Sequence, residues 1–209
     1  VPEPYLTVSA PAEHEIEIKR SRFLCAVAGV SGEDEARAFV EERRRLHPGA
    51  RHTCSAYVLG GDRRVQRGDD DGEPGGTAGT PMLETVLRRG FSDTVAVVTR
   101  YFGGVLLGAG GLARAYGRAV GETLEDAPAI RMVPARVMEV RVGHGQAGRL
   151  ESDLRASAYP VREVRYGPAL VAVEAAVGEG DLDRFRDWIA TVTAGRAEVE
   201  QGPVVYVPA

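Results

Sequence analysis

Lysine is almost absent from this chain: of its 26 basic residues, only Lys19 is a lysine. The arginine bias runs along the whole length. It therefore reads as the compositional habit of a GC-rich genome or a thermophile rather than as guanidinium forks selected for phosphate. Excess positive charge is lacking too. A net charge of −4 excludes a polyanion-binding surface spread over the whole molecule, though not a local basic face. Cysteine is scarce, and Cys25 and Cys54 lie in apolar, strand-like stretches with no second Cys or His at metal-ligand spacing. They read as small buried hydrophobes in a reducing compartment, which excludes a disulfide framework. No apolar run approaches about 18 residues, so no membrane-spanning helix is expected. Residues 1–12 have no basic start followed by an apolar run, so no secretory signal is expected either. The cytoplasm is the expected location, with no membrane partner.

What is present has the periodicity of a mixed fold. Residues 16–30 alternate loosely around Phe23, Leu24 and Val27 and predict one first strand. Glu33, Asp34 and Glu35 then open an amphipathic helix carrying Ala36, Phe39, Val40 and Leu46, which His47-Pro48-Gly49 ends. Residues 53–59 and 65–67 read as strands across the Gly60-Gly61-Asp62 turn. Pro81 suits the first turn of a short helix. Residues 94–101 form a strand whose unbroken Val95-Ala96-Val97-Val98 centre marks it as internal. Beyond Ala127-Pro128-Ala129 the predicted order is strand, helix, strand, strand, helix, strand, the ferredoxin-like βαββαβ pattern. In its second helix Asp181 is a candidate N-cap, and Leu182, Phe185, Trp188, Ile189 and Val192 form a buried stripe.

Two glycine-rich loops carry the unusual chemistry. In the first, Asp69-Asp70-Asp71-Gly72-Glu73-Pro74-Gly75-Gly76-Thr77-Ala78-Gly79, four carboxylates in five residues invite a hard cation. Aligning Gly72 with the sharp turn of a calcium hand puts Arg67 and Ala78 at ligand positions, so that motif is rejected. Carboxylates that cap loop amides and pair with Arg67 or Arg100 account better for the run. The second loop follows a strand. There Gly108, Gly110 and Ala113 formally satisfy the dinucleotide fingerprint, but an extra loop intervenes and no carboxylate ends a following strand. A phosphate-cradling Walker loop fails as well, for want of its Lys-Ser/Thr pair. What survives is more general: glycine-rich backbone at a helix N-terminus offers amides and a positive dipole end to an anion, with Arg100 and Arg114 nearby. Tyr101-Phe102 beside Arg100 has the form of an aromatic–arginine platform for a base, or of a ring closing the core. His52 and Cys54 share a strand face, but they read as a core histidine beside a buried thiol rather than as a nucleophile and its base.

Three runs, residues 70–79, Val98-Thr99-Arg100-Tyr101-Phe102-Gly103-Gly104 and residues 107–116, join Lys19-Arg20-Ser21-Arg22-Phe23 and His52-Thr53-Cys54 upstream. In order and spacing they resemble the signature of the YigZ/IMPACT family over residues 16–126. Gly75 and Gly117 stand where that family often has Ser, or Ser or Asp. The resemblance implies a first domain of the ribosomal-protein and elongation-factor-G domain IV type, and a second like that factor's ferredoxin-like last domain. It also implies a role near translation. Eukaryotic relatives act there by competing for a partner of a stress-responsive kinase, while nucleic-acid or ribosome binding is what it suggests for bacterial members.

The expectation is therefore an α+β protein of two domains, residues 1–129 and 130–209. It would bind RNA or the ribosome in translation or its regulation, without catalysis. A protein-partner competitor and a phosphate-ligand or metal-dependent enzyme are the alternatives. The expected site comprises Arg22, His52, Asp70, Asp71, Glu73, Thr77, Gly79, Arg100, Tyr101, Phe102, Gly103, Gly104, Gly108, Gly110, Gly111, Arg114 and Tyr116, with no metal ion or cofactor.

Overall fold

The computed structural model describes residues 2–209 and divides into two compact units, Glu3–Met132 and Val133–Pro208. In chain order the first holds strands β1 (Tyr5–Val8), β2 (Ala12–Ile18) and β3 (Ser21–Gly29), helix α1 (Glu33–Leu46), strands β4 (His52–Leu59) and β5 (Val65–Asp69), helix α2 (Gly79–Arg88), strand β6 (Thr94–Tyr101) and helix α3 (Ala109–Asp126). Its sheet has the order β2-β3-β6-β4-β5, antiparallel throughout. Helices cover both faces. Val95 and Val97 of β6 join the core under α1, while Ala96 and Val98 join the one under α2 and α3. A strand buried on both sides has no polar face to alternate with, which is why the centre of β6, Val95-Ala96-Val97-Val98, is apolar without interruption.

The single strand predicted over residues 16–30 is two. Lys19 (φ 48°) and Arg20 (φ 66°) form a two-residue hairpin turn, with Ile18 opposite Ser21. Successive left-handed residues match the twist of the flanking strands, and such turns usually announce themselves as Asn-Gly. Lysine and arginine hide the turn. β1, which no pattern announced, pairs with Ala129–Met132 at the start of the next strand and bonds to Gly90 and Ser92 through Leu6.

The second unit has the predicted order: β7 (Ala129–Gly143), α4 (His144–Arg155), β8 (Val161–Tyr166), β9 (Leu170–Val177), α5 (Leu182–Val192) and β10 (Glu198–Pro208). β9 lies between β7 and β8, and β10 pairs with β7. Phe185 and Ile189 of α5 and Leu150 and Leu154 of α4 close over Met138, Val140, Val142, Val171 and Val173. Trp188 borders this core, against the rings of Tyr159 and Phe185. Asp181 makes no side-chain cap; a short 3-10 turn, Glu179–Asp181, leads into α5 instead.

Candidate functional site

The acidic loop folds onto itself. At the end of β5, Asp71 (φ 40°) and Gly72 (φ 83°) turn the chain sharply, and the Glu73 amide closes on the Asp70 carbonyl at 2.9 Å. The Asp70 carboxylate then accepts three backbone amides, from Gly76 (2.7 Å), Ala78 (2.9 Å) and Gly79 (2.8 Å). These include free N–H groups at the start of α2, so the helix is capped by an acid from the preceding loop. Burial pushes the Asp70 carboxyl upward, and the three amides outweigh it, leaving its pKa below the ordinary carboxylate value. Asp71 accepts the Thr53 amide (2.6 Å) and Arg44 (3.2 Å). Thr77 donates its hydroxyl to the Pro74 carbonyl at 2.6 Å. Gly79 lies against β5 so closely that a Cβ there would sit 2.7 Å from the Gly68 carbonyl carbon and 2.5 Å from the Asp69 nitrogen.

Glu73 turns the other way, into the protein. Strand register places Phe23, Arg100 and His52 in one cross-strand row beneath it. Arg100 Nη1 and the Tyr116 hydroxyl both donate to Glu73 Oε1 at 2.7 Å. The Glu73 and Arg100 side chains are 3% and 7% exposed, so this ion pair is sealed from solvent. The guanidinium sits between the rings of Phe23 (5.6 Å) and Phe102 (5.5 Å), and its Nε has no partner. His52 Nδ1 lies 2.8 Å from the Asp71 carbonyl, which can only accept, so Nδ1 carries a proton. Its Nε2 is 4.0 Å from Glu73 Oε2. Cys54 shares its single S–H between the Asp70 carbonyl (3.0 Å) and the Tyr116 oxygen (3.4 Å). Burial pushes its thiol up to about 12 against the opposing Tyr116 bond, with neighbouring carboxylates adding to the rise. Such a thiol stays protonated and offers no thiolate. Tyr116 is likewise raised, by burial first and then by Cys54 and Glu73.

Each carboxylate of the loop thus serves separate donors. Among the described residues no three His, Cys, Asp or Glu side chains converge as a metal would require.

The second loop is built differently. Gly103 touches the β2–β3 turn so closely that a Cβ would lie 2.0 Å from the Arg20 carbonyl carbon. Gly104 (φ 85°) and Gly108 (φ 72°) have open space around them, and Gly108 stands at the N-cap of α3 with no side-chain cap and no acid in the first turn. Phe102 is 50% exposed and Leu106 82%. Arg114 is exposed and shares a recess of about 290 Å3 with Lys19, Leu107, Gly111 and Arg118. Arg114 also borders a groove of about 620 Å3 between α2 and α3, with Arg88, Arg89, Glu122 and Glu125. In that groove Arg89 and Arg118 hold Glu125 and Glu122. Lys19, Arg20 and Arg114 have no carboxylate partner among the described residues. Tyr101 is occupied, its hydroxyl 3.0 Å from His47 and its ring under Arg22, which forks onto Glu15.

The residues singled out in the sequence therefore separate. His52, Asp70, Asp71, Glu73, Thr77, Gly79, Arg100 and Tyr116 join one inward network, whereas Phe102, Gly104, Gly108, Gly110 and Arg114 face solvent. Lys19 and Arg20 were absent from the expected set. Their signal was a slip of phase: the most buried positions are even-numbered through Ile16 and odd-numbered from Ser21 to Cys25.

Fold and site together define a two-unit α+β protein whose first unit carries the chemistry and whose second is a βαββαβ module. The Impact N-terminal domain family matches residues 19–124, and a domain of unknown function matches residues 140–196. IMPACT family member YvyE of Bacillus subtilis is 42% identical over 203 residues, 97% of this chain and 93% of that one. IMPACT family member YigZ of Escherichia coli is 43% identical over 152 residues, 72% and 74% of the two chains. A crystal structure of a hypothetical protein superposes with a TM-score of 0.77 at 35% identity, covering 95% of this chain and 97% of its own. The chain belongs to the IMPACT family.

Proposed function

We propose that the protein is a non-catalytic polyanion-binding protein, acting on RNA or the ribosome in translation or its regulation. The contact surface is that of the second glycine loop, and the observation that carries this reading is the β2–β3 turn. Two cationic residues, Lys19 and Arg20, are held there in the left-handed region; Lys19 shares a recess with Arg114 and Gly111 at the uncapped start of α3, and Arg20 abuts Gly103. A left-handed non-glycine residue costs roughly 1–2 kcal/mol, and such strain collects where function retains it. Uncommitted cations next to helix N-terminal amides suit phosphate. The second unit suits it less. The sheet face turned from its helices bears Glu139, Glu163, Glu174 and Glu200 against Arg141 and Arg165, which they already engage.

Fluorescence anisotropy with a labelled RNA tests the reading. Neutralising about three phosphates on a single strand predicts binding that weakens about twentyfold between 50 and 200 mM salt. K19N/R20G supplies the residues this turn prefers. It should raise stability by roughly 1 kcal/mol while weakening RNA binding and flattening the salt dependence, and R114E should weaken binding further. Absent or salt-independent binding defeats the proposal.

A second reading, capture of a protein partner that others compete for, draws on the exposed Val105 and Leu106. A single stoichiometric protein recovered in spite of nuclease would favour it.

A further inference from the structure

Phe102 is positioned unlike any other aromatic side chain of the first unit. Tyr5, Phe23, Tyr57, Phe91 and Tyr116 are buried, Phe39 packs against the core under α1, and Tyr101 is engaged by His47 and Arg22. Phe102 is half exposed, and the guanidinium of Arg100 lies over its ring, 5.5 Å from the centroid. Arg100 is itself immobilised: it packs on Phe23 on its other side and is bonded to the buried Glu73. The chain of contacts Glu73–Arg100–Phe102 thus orients a surface ring from the interior. A ring fixed in this way loses little side-chain entropy when something stacks on it. The next residue, Gly103, abuts Arg20, so the ring stands beside the strained cationic turn.

We infer that the site reads unpaired nucleobases: a base stacks on the open face of Phe102 while Lys19, Arg20 and Arg114 take neighbouring phosphates. This rests on the polyanion-binding reading above and narrows it to single-stranded nucleic acid or unpaired segments of a folded one. In a duplex the base faces are covered by their neighbours, and only the phosphates remain available to the cations. Stacking on an aromatic side chain tolerates any base, so the preference is for strandedness and not for sequence.

The test compares a single-stranded 12-nucleotide RNA with its fully paired duplex, using the full chain and the variants F102L and F102W. Leucine keeps an apolar cover over Arg100 but removes the π face. The expected result is about tenfold weaker single-strand binding for F102L, unchanged duplex binding, and single-strand affinity retained in F102W. Equal losses on both RNAs, or none on either, overturn the base-stacking assignment while leaving phosphate binding in place. Failure of the unaltered protein to bind either RNA overturns both readings. Binding to vesicles of anionic phospholipid that F102L abolishes, with RNA binding unaffected, would reassign the ring to a lipid surface.

Discussion

The two loops share an abundance of glycine and meet opposite fates. In the first, the amides at the start of α2 are filled by the protein's own Asp70, and Glu73 neutralises Arg100 in the interior. In the second, the start of α3 has no side-chain cap, no acid stands in its first turn, and the nearby Lys19, Arg20 and Arg114 lack carboxylate partners among the described residues. Glycine and positive charge alone therefore do not mark an anion site. What distinguishes the loops is whether a carboxylate from the same chain arrives first. The closed loop also supports the open one, because the Arg100 held by Glu73 is the surface on which Phe102 rests.

The sharpest way to break this contrast is to reopen the closed side. Glu73→Ala strips the partner from a guanidinium that is 7% exposed and removes the acceptor of the Tyr116 hydroxyl. Removing one member of a buried ion pair strands the other charge, and the expected loss is about 3–5 kcal/mol. Urea unfolding of the first unit should show it. The probe matters: Trp188 is the only tryptophan and lies in the second unit, so its fluorescence reports the wrong half. Amide exchange across β4 and β6 reads the right one. A loss under about 1 kcal/mol would mean that water reaches Arg100, and the distinction between a sealed and an open loop would lapse.

A smaller effect sharpens the capping half of the comparison. Asp70→Ala leaves three amides without their acceptor, two of them on the buried Ala78 and Gly79, and should cost about 2 kcal/mol at neutral pH. The sign of its pH dependence follows from the lowered folded pKa. A carboxyl with a depressed folded value contributes fully above its unfolded value, about 3.9, and loses that contribution as the pH falls through the folded value. The gap in stability between the unaltered protein and Asp70→Ala should therefore be constant from pH 7 to about pH 5 and close below about pH 3.9. A gap that persists undiminished in acid would show that the Asp70 side chain acts through packing and not through its charge.

Much of this was legible from residue order, and the failures have physical causes. Periodicity located α1 and α5, and an unbroken apolar run the central strand, because burial on one or two faces leaves its mark in residue order. The βαββαβ module was readable for the same reason, within a few residues at most boundaries. The hairpin at Lys19-Arg20 was not, because the fold accepts strain there that local preference argues against. β1 escaped notice since four residues are too few to show a period. At the site, the run of motifs picked out the segments but could not say which way each side chain turns. Arg100 and Arg114 look equivalent in a list of cations. Only the register of β6 with β3 and β4 shows that Arg100 points into the core, while α3 leaves Arg114 outside. Asp70 and Asp71 likewise look like neighbours in one cluster, yet the left-handed conformation of Asp71 sends their carboxylates to different donors.

The smallest effect concerns the open loop's own glycines. Gly79 is required by close packing, since any Cβ would meet the backbone of β5. Gly110 is not: it lies in the first turn of α3, and the nearest atom to an added Cβ is the flexible end of Arg114, at 3.5 Å. Alanine is the better helix former by about 1 kcal/mol, so Gly110→Ala should stabilise the first unit by roughly 0.5–1 kcal/mol. Its value lies in the second readout. If the added methyl raises stability and leaves RNA affinity unchanged, glycine at this position is incidental and the cations and Phe102 carry the recognition. If stability rises while affinity falls, the ligand approaches the α3 backbone too closely for a side chain, and the amides themselves are contacts. A loss of stability would show that the start of α3 is packed against something, and the open loop would be closed after all.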